Sequence, residues 1–162
     1  MATKPNQIQA TRRAVLAGAA GTLAASAMQI TLRPAHATPE EMQAAIAKVI
    51  GDAKLNKGKV SLDIPPLVEN GNTVPCTVTV DNQMTPGDYC KAIHVFNEKN
   101  PQPNVISVHL NPRSGRASFS TRIRLSDTQN IIAIAELSDG SFWSESVNVI
   151  VTIGACLEDV AI

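Results

Sequence analysis

The sequence predicts an antiparallel β-sandwich with a short helix in front of it, and three observations carry the prediction. A leader occupies residues 1–37, a capped amphipathic stretch opens at Thr38, and after Lys59 the apolar period changes from that of a helix to two. The elements are taken in chain order.

Thr11-Arg12-Arg13 precedes a run without a charged side chain, residues 14–32, which ends before Ala35-His36-Ala37. These read as the three parts of an export signal, and twin arginines ahead of the run point to the twin-arginine route. Gly18, Gly21, Thr22, Ser26, Gln29 and Thr31 make the run too polar for a comfortable membrane span. The expected division is a cleaved signal over residues 1–37, a β-sandwich over 38–153 and a C-terminal arm over 154–162. The expected compartment is the periplasm, with no membrane contact after cleavage. Lys4, Arg12, Arg13 and Arg33 leave with the leader and all fourteen acids stay, so ten basic residues face fourteen acids and the mature net charge is −4. That balance argues against a nucleic-acid partner.

Thr38-Pro39-Glu40-Glu41 places a capping threonine, a proline at the first helical position and a glutamate three residues after the cap. Met42, Ile46, Val49 and Ile50 then share one face, and Gly51 ends the helix. A single helix of this length must dock on something. Strands are expected near residues 59–64, 73–80, 91–97, 105–110, 117–125, 130–136 and 141–153. Pro65-Pro66, Asn70-Gly71-Asn72, Pro86-Gly87-Asp88, Asn100-Pro101, residues 112–115, Asp127 and Asp139-Gly140 interrupt them. Seven short strands at this spacing predict an all-β, immunoglobulin-like architecture. Val74, Cys76, Val78 and Val80 fall on the core face, with Thr73, Thr77 and Thr79 opposite. Residues 131–135 are apolar on both faces, as in a central strand or one covered by a partner protein.

Conventional catalysis finds little support. There is no G-x-S-x-G elbow, no glycine-rich phosphate cradle and no C-x-x-C, and Ser114-Gly115 reads as turn chemistry. No cofactor is expected. His94 and His109 show no metal spacing; a metal held by both and a cysteine is weighed against two ordinary strand residues. Arg122 and Arg124, with Arg113 and Arg116 in the preceding loop, read as a solvated face or as a docking surface for an acidic partner.

Three cysteines remain, Cys76, Cys90 and Cys156. Cys76 and Cys90 are either a disulfide or two buried small hydrophobes. Cys156 lies three residues past Ile153, with Gly154 between to loosen the chain. At roughly 3.3–3.6 Å per residue such a thiol reaches about 10 Å beyond the sandwich. It is the candidate reactive residue.

Glu69-Asn70-Gly71-Asn72-Thr73-Val74-Pro75, Asn100-Pro101, residues 120–125, Thr128-Gln129, Asp139-Gly140-Ser141-Phe142 and residues 151–156 together resemble the SoxY family of sulfur carriers from the periplasmic thiosulfate-oxidising Sox system. The resemblance covers essentially the whole mature chain. It implies an immunoglobulin-like sandwich paired with SoxZ, a second small β-sandwich subunit. It also implies that Cys156 is the covalent attachment point for sulfur, in a protein that is not itself an enzyme. A haem enzyme would join thiosulfate to the cysteine, a hydrolase would release sulfate, and a sulfane dehydrogenase would process the rest.

The family motif at the arm is Gly-Gly-Cys-Gly-Gly. Here Gly154-Ala155-Cys156-Leu157-Glu158 keeps the first glycine and the cysteine, and the chain runs on to Ile162. A branched leucine stiffens such an arm, and Glu158 and Asp159 raise the thiol pKa from an ordinary value of about 8.5. Three readings follow: a covalent carrier, a structural subunit that keeps fold and interface, and a carrier whose acidic tail docks on different enzymes.

Overall fold

Local chemistry starts the fold at Thr38. In the computed structural model, which describes residues 37–155, Glu41 N–H donates to Thr38 Oγ1 at 3.2 Å while Thr38 N–H donates to Glu41 Oε2 at 3.2 Å. This reciprocal cap opens helix α1, Pro39–Ile50, and Gly51 N–H closes it on Ala47 O at 2.9 Å. The helix is the one the sequence predicts, with Met42 and Ile46 buried and Val49 and Ile50 partly so.

The strands are β1 (Leu55–Asn56), β2 (Val60–Asp63), β3 (Leu67–Asn70), β4 (Val74–Val80), β5 (Cys90–Asn97), β6 (Asn104–His109), β7 (Ser118–Ile123), β8 (Gln129–Leu137) and β9 (Phe142–Ile153). Among the described residues they form two sheets, a three-stranded one in the order β2-β4-β7 and a six-stranded one in the order β1-β9-β8-β5-β6, with β3 also on β9. Seven match the predicted runs to within about two residues. The chain is the all-β, immunoglobulin-like sandwich with one short helix that the sequence predicts.

Two strands were not predicted. β1 pairs with the start of β9 and β3 with its end, both in parallel. Leu55–Asn56 has only two residues, and Leu67–Asn70 is almost wholly exposed, so neither carries the alternation that betrays a strand. What makes them strands is the free edge of β9, reached across more than eighty residues of chain.

The core lies between the sheets. Val60, Leu62, Val74, Cys76, Val78 and Val80 from the small sheet meet Ile93, Val95, Ile131, Ala133, Ala135, Val149 and Val151 from the large one. Each fully buried large apolar side chain here contributes roughly 1.5–3 kcal/mol. The other face of the large sheet buries Phe96, Ile134 and Phe142 under Met42 and Ile46 of α1. This resolves the two-faced apolar run at 131–135. β8 is a central strand between β9 and β5, and the protein's own helix covers its outer face. The outer face of the small sheet is polar, with Thr77 and Ser120 hydroxyls 2.9 Å apart and Thr79 and Ser118 likewise 2.9 Å apart.

Candidate functional site

The predicted reactive residue, Cys156, lies outside the described residues, as do residues 1–36 and 157–162. The chain that delivers it is described as far as Ala155. Near the end of β9, Val151 N–H donates to Thr128 Oγ1 at 3.0 Å. Gly71 N–H then donates to Ile153 O at 2.8 Å, Leu125 N–H to Gly71 O at 2.8 Å, and Ala155 N–H to Leu125 O at 2.8 Å. Ala155 has no exposed surface at all.

Gly71 is required here by space. A Cβ at this position would lie 2.2 Å from Leu125 O, 2.9 Å from Ala155 N and 3.1 Å from Val151 Cγ1. The turn that brings it in is set by Asn70, whose side chain accepts from Asn72 N–H at 2.9 Å. The expectation that the chain loosens at Gly154 therefore needs correcting. The backbone is held through Ala155, so the distance to the thiol counts from there and not from Ile153.

Leu125 is itself held from both sides by one residue. Asn100 Nδ2 donates to Arg124 O at 2.7 Å, and Asn100 Oδ1 accepts from Ser126 N–H and Gln129 Nε2, each at 3.0 Å. Gln129 Oε1 accepts from Lys99 N–H at 2.9 Å, and Ser126 Oγ donates to Lys99 O at 3.0 Å. Ser126, Gln129 and Asn97 are buried in this network. The loops at Asn70-Gly71, Asn100-Pro101 and Thr128-Gln129 thus converge on one place, the root of the C-terminal segment. Sequence reasoning treated Asn70-Gly71-Asn72, Asn100-Pro101 and Asp127 as separate breaks between strands. The signal that could have united them was the resemblance itself, which rests on these same loops and on residues 151–156.

Cys76 and Cys90 are free thiols, both buried in the core between the sheets. Of the two alternatives, the structure adopts the buried hydrophobes. Burial pushes both thiols up to about 11, helped by the charge of Asp63 near Cys76. Cys90 Sγ donates to Ala92 O at 3.4 Å. Neither is a nucleophile at neutral pH.

His94 and His109 are brought together on the outer face, ring centroids 6.1 Å apart, and His94 Nδ1 lies 2.8 Å from Ser107 Oγ. Burial, and then the neighbouring His109, lower the pKa of His94. The buried cysteines point to the opposite face, and among the described residues no cluster of three or more His, Cys, Asp or Glu is placed to hold a metal. Arg113, Arg116, Arg122 and Arg124 are all exposed, as a solvated face requires. Among the described residues no helix is long and apolar enough to cross a membrane.

A family model described as sulfur oxidation protein SoxY matches residues 46–156, from within α1 to the predicted reactive cysteine. The chain belongs to the SoxY family. Among solved structures, the sulfur carrier protein SoxY from Chlorobium limicola f thiosulfatophilum is 28% identical, with a TM-score of 0.59 over 70% of this chain and 98% of that one. A superoxide reductase (neelaredoxin) from Ignicoccus hospitalis is 15% identical, with a TM-score of 0.53 over 71% of this chain and 94% of its own. The superoxide reductase from Nanoarchaeum equitans is 10% identical, with a TM-score of 0.51 over 59% and 100%. These last two share the fold alone. No curated protein sequence matches the chain.

Within the SoxY family this member has a covered root to its C-terminal segment. Among the large apolar residues described, only Leu67, Ile150 and Ile153 remain exposed. Leu67 and Ile150 are register partners on β3 and β9, and Ile153 ends β9 where Gly71 binds it.

Proposed function

We propose that this protein is a covalent sulfur carrier acting in the periplasm after twin-arginine export, with Cys156 as the attachment point. The observation that carries the reading is the family match, which runs through to Cys156 while Cys76 and Cys90 are sunk in the core. The chemistry balances without a catalytic group on this chain. The Cys156 thiolate and thiosulfate join through a new S–S bond and lose two electrons, which a haem enzyme accepts. Water then cleaves the terminal S–S bond to the sulfonate, releasing sulfate and two protons and leaving a persulfide on Cys156. A sulfane dehydrogenase then accepts six electrons from the outer sulfur while three waters supply its oxygens and six protons leave, and a second hydrolysis of the S–S bond frees sulfate and returns the Cys156 thiol. The carrier's part is to hold the sulfur and present it.

The partner subunit, a small β-sandwich of the SoxZ kind, docks on the apolar edge where exposed Leu67 of β3 pairs with exposed Ile150 of β9. The apolar run at residues 131–135, one expected place for a partner, is covered on its outer face by α1. The edge at Leu67 and Ile150 is small and lies near the end of β9 that leads into the root of the C-terminal segment.

A second reading has an observation in its favour. The burial and hydrogen bonding of Ala155 restrain a segment that a carrier moves between enzymes, which favours a structural subunit. Intact mass of the unreduced protein, taken from its own periplasm with and without reductant, decides. A reductant-labile adduct of thiosulfate or of one or more sulfur atoms, mapped to the Cys156 peptide, supports the carrier. An unmodified thiol in cells growing on thiosulfate, with a partner still bound, overturns it.

A further inference from the structure

We propose that Gly71, Leu125 and Ala155 form a seat that fixes the backbone immediately before Cys156, and that Asn100 is the positioning residue that holds this seat in place. The inference rests on the reading of Cys156 as the attachment point. Three chain segments meet here in a series of backbone hydrogen bonds: Gly71 N–H to Ile153 O, Leu125 N–H to Gly71 O and Ala155 N–H to Leu125 O, each 2.8 Å. The last bond lies beyond the final ladder of β9, so sheet formation alone does not demand it. The Ala155 methyl is fully buried, and its amide nitrogen occupies the space that a side chain at position 71 would fill.

The seat has a rigid back. Asn100 grips the backbone on both sides of Leu125, at Arg124 O and Ser126 N–H, and is anchored in turn by Gln129. Leu125 O is therefore a fixed acceptor, not a fraying strand end. Beyond the seat, the Cα of Cys156 follows that of Ala155 by about 3.8 Å across a trans peptide. A partner enzyme meets the thiol close to the end of the sandwich, beside Ile153. It gains further reach only when one hydrogen bond breaks and one methyl group leaves its pocket. Those two interactions are weak enough to reverse, and they suppress spontaneous release by about tenfold or more.

Two measurements on the full mature chain test this. Hydrogen exchange at the Ala155 amide, resolved by NMR, is expected to be at least about tenfold slower than in an unstructured peptide; exchange at the unstructured rate overturns the proposal. A nitroxide on Cys156, which the buried Cys76 and Cys90 leave as the selective target, is expected to give an immobilised spectrum. Ala155→Pro removes the donor and should mobilise the label, whereas Ala155→Gly keeps the donor and should retain most of the immobilisation. Asn100→Ala should mobilise it as well, without a change at Ala155 itself. Equal mobility in wild type and Ala155→Pro, with both shown folded by urea titration, overturns the seat. Thiosulfate loading followed by mass reports separately on the carrier reading. A wild type that takes up no sulfur but holds its label immobile refutes the carrier and upholds the seat. A wild type that loads while Ala155 exchanges freely refutes the seat and upholds the carrier.

Discussion

Gly71→Ala should be one of the most damaging single-methyl additions in this protein. The new Cβ would stand 2.2 Å from Leu125 O and 2.9 Å from Ala155 N, both backbone atoms that cannot rotate away. Over-packing of this kind costs about 1–3 kcal/mol. The backbone must shift to relieve it, and that shift weakens the bonds from Gly71 N–H to Ile153 O and from Leu125 N–H to Gly71 O. At about 0.5–1.5 kcal/mol each, the two bring the expected loss to roughly 2–6 kcal/mol. A domain whose whole stability is about 5–15 kcal/mol feels such a loss, with Tm lower by about 10 °C or more. Urea titration followed by the fluorescence of the single tryptophan, Trp143, measures it. Gly87→Ala is the control, because nothing lies within 4 Å of a Cβ there. It should stay within about 0.5 kcal/mol of wild type. A Gly71→Ala protein as stable as the Gly87→Ala control refutes the close-packed root.

Other outcomes follow from the same structure. In the folded protein at pH 8, iodoacetamide should modify Cys156 and spare Cys76 and Cys90, whose thiols stand at about 11; peptide mass mapping before and after denaturation checks this. His94 is buried and its pKa lies below the ordinary 6.5, so its contribution to stability is complete above pH 6.5 and is lost as pH falls below it. The urea midpoint of His94→Gln should accordingly fall less than that of wild type between pH 7.5 and 5; parallel curves would refute the assignment, with His109 and Glu136 the charged neighbours to control for. Phe96→Ala removes a fully buried ring between the large sheet and α1 and should cost about 3–5 kcal/mol, read by chemical denaturation. Leu67→Glu should leave the monomer's stability within about 0.5 kcal/mol, because Leu67 is 62% exposed, while weakening capture of the partner subunit.

Much of the fold was legible before any coordinates. The capping box at Thr38 and Glu41 and the stop at Gly51 bounded α1, because helix ends are set by residues within three or four positions of each other. The alternation of Val74, Cys76, Val78 and Val80 assigned the inner face of β4 for the same reason, since side chains two apart share a face. The resemblance in residues 69–75 and 151–156 named the family that the comparisons then supported. Cys76 and Cys90 were legible as core or bridge but not as which, because the choice depends on how two strands from different sheets face each other.

What the sequence determined by itself was therefore the local and the periodic: one helix, seven strands, the inward positions along them, and the family. What only the tertiary structure decided was non-local. β1 and β3 are strands because β9 offers them an edge. The outer face of β8 is dry because α1, some eighty residues earlier, lies over it. The root of the C-terminal segment is closed because Gly71, Leu125 and Ala155, which no short-range rule connects, meet through backbone hydrogen bonds at one end of the sandwich, where the Asn100 side chain grips the backbone on either side of Leu125. The backbone bonds carry no side-chain signature, and a backbone amide donates equally well from any residue but proline.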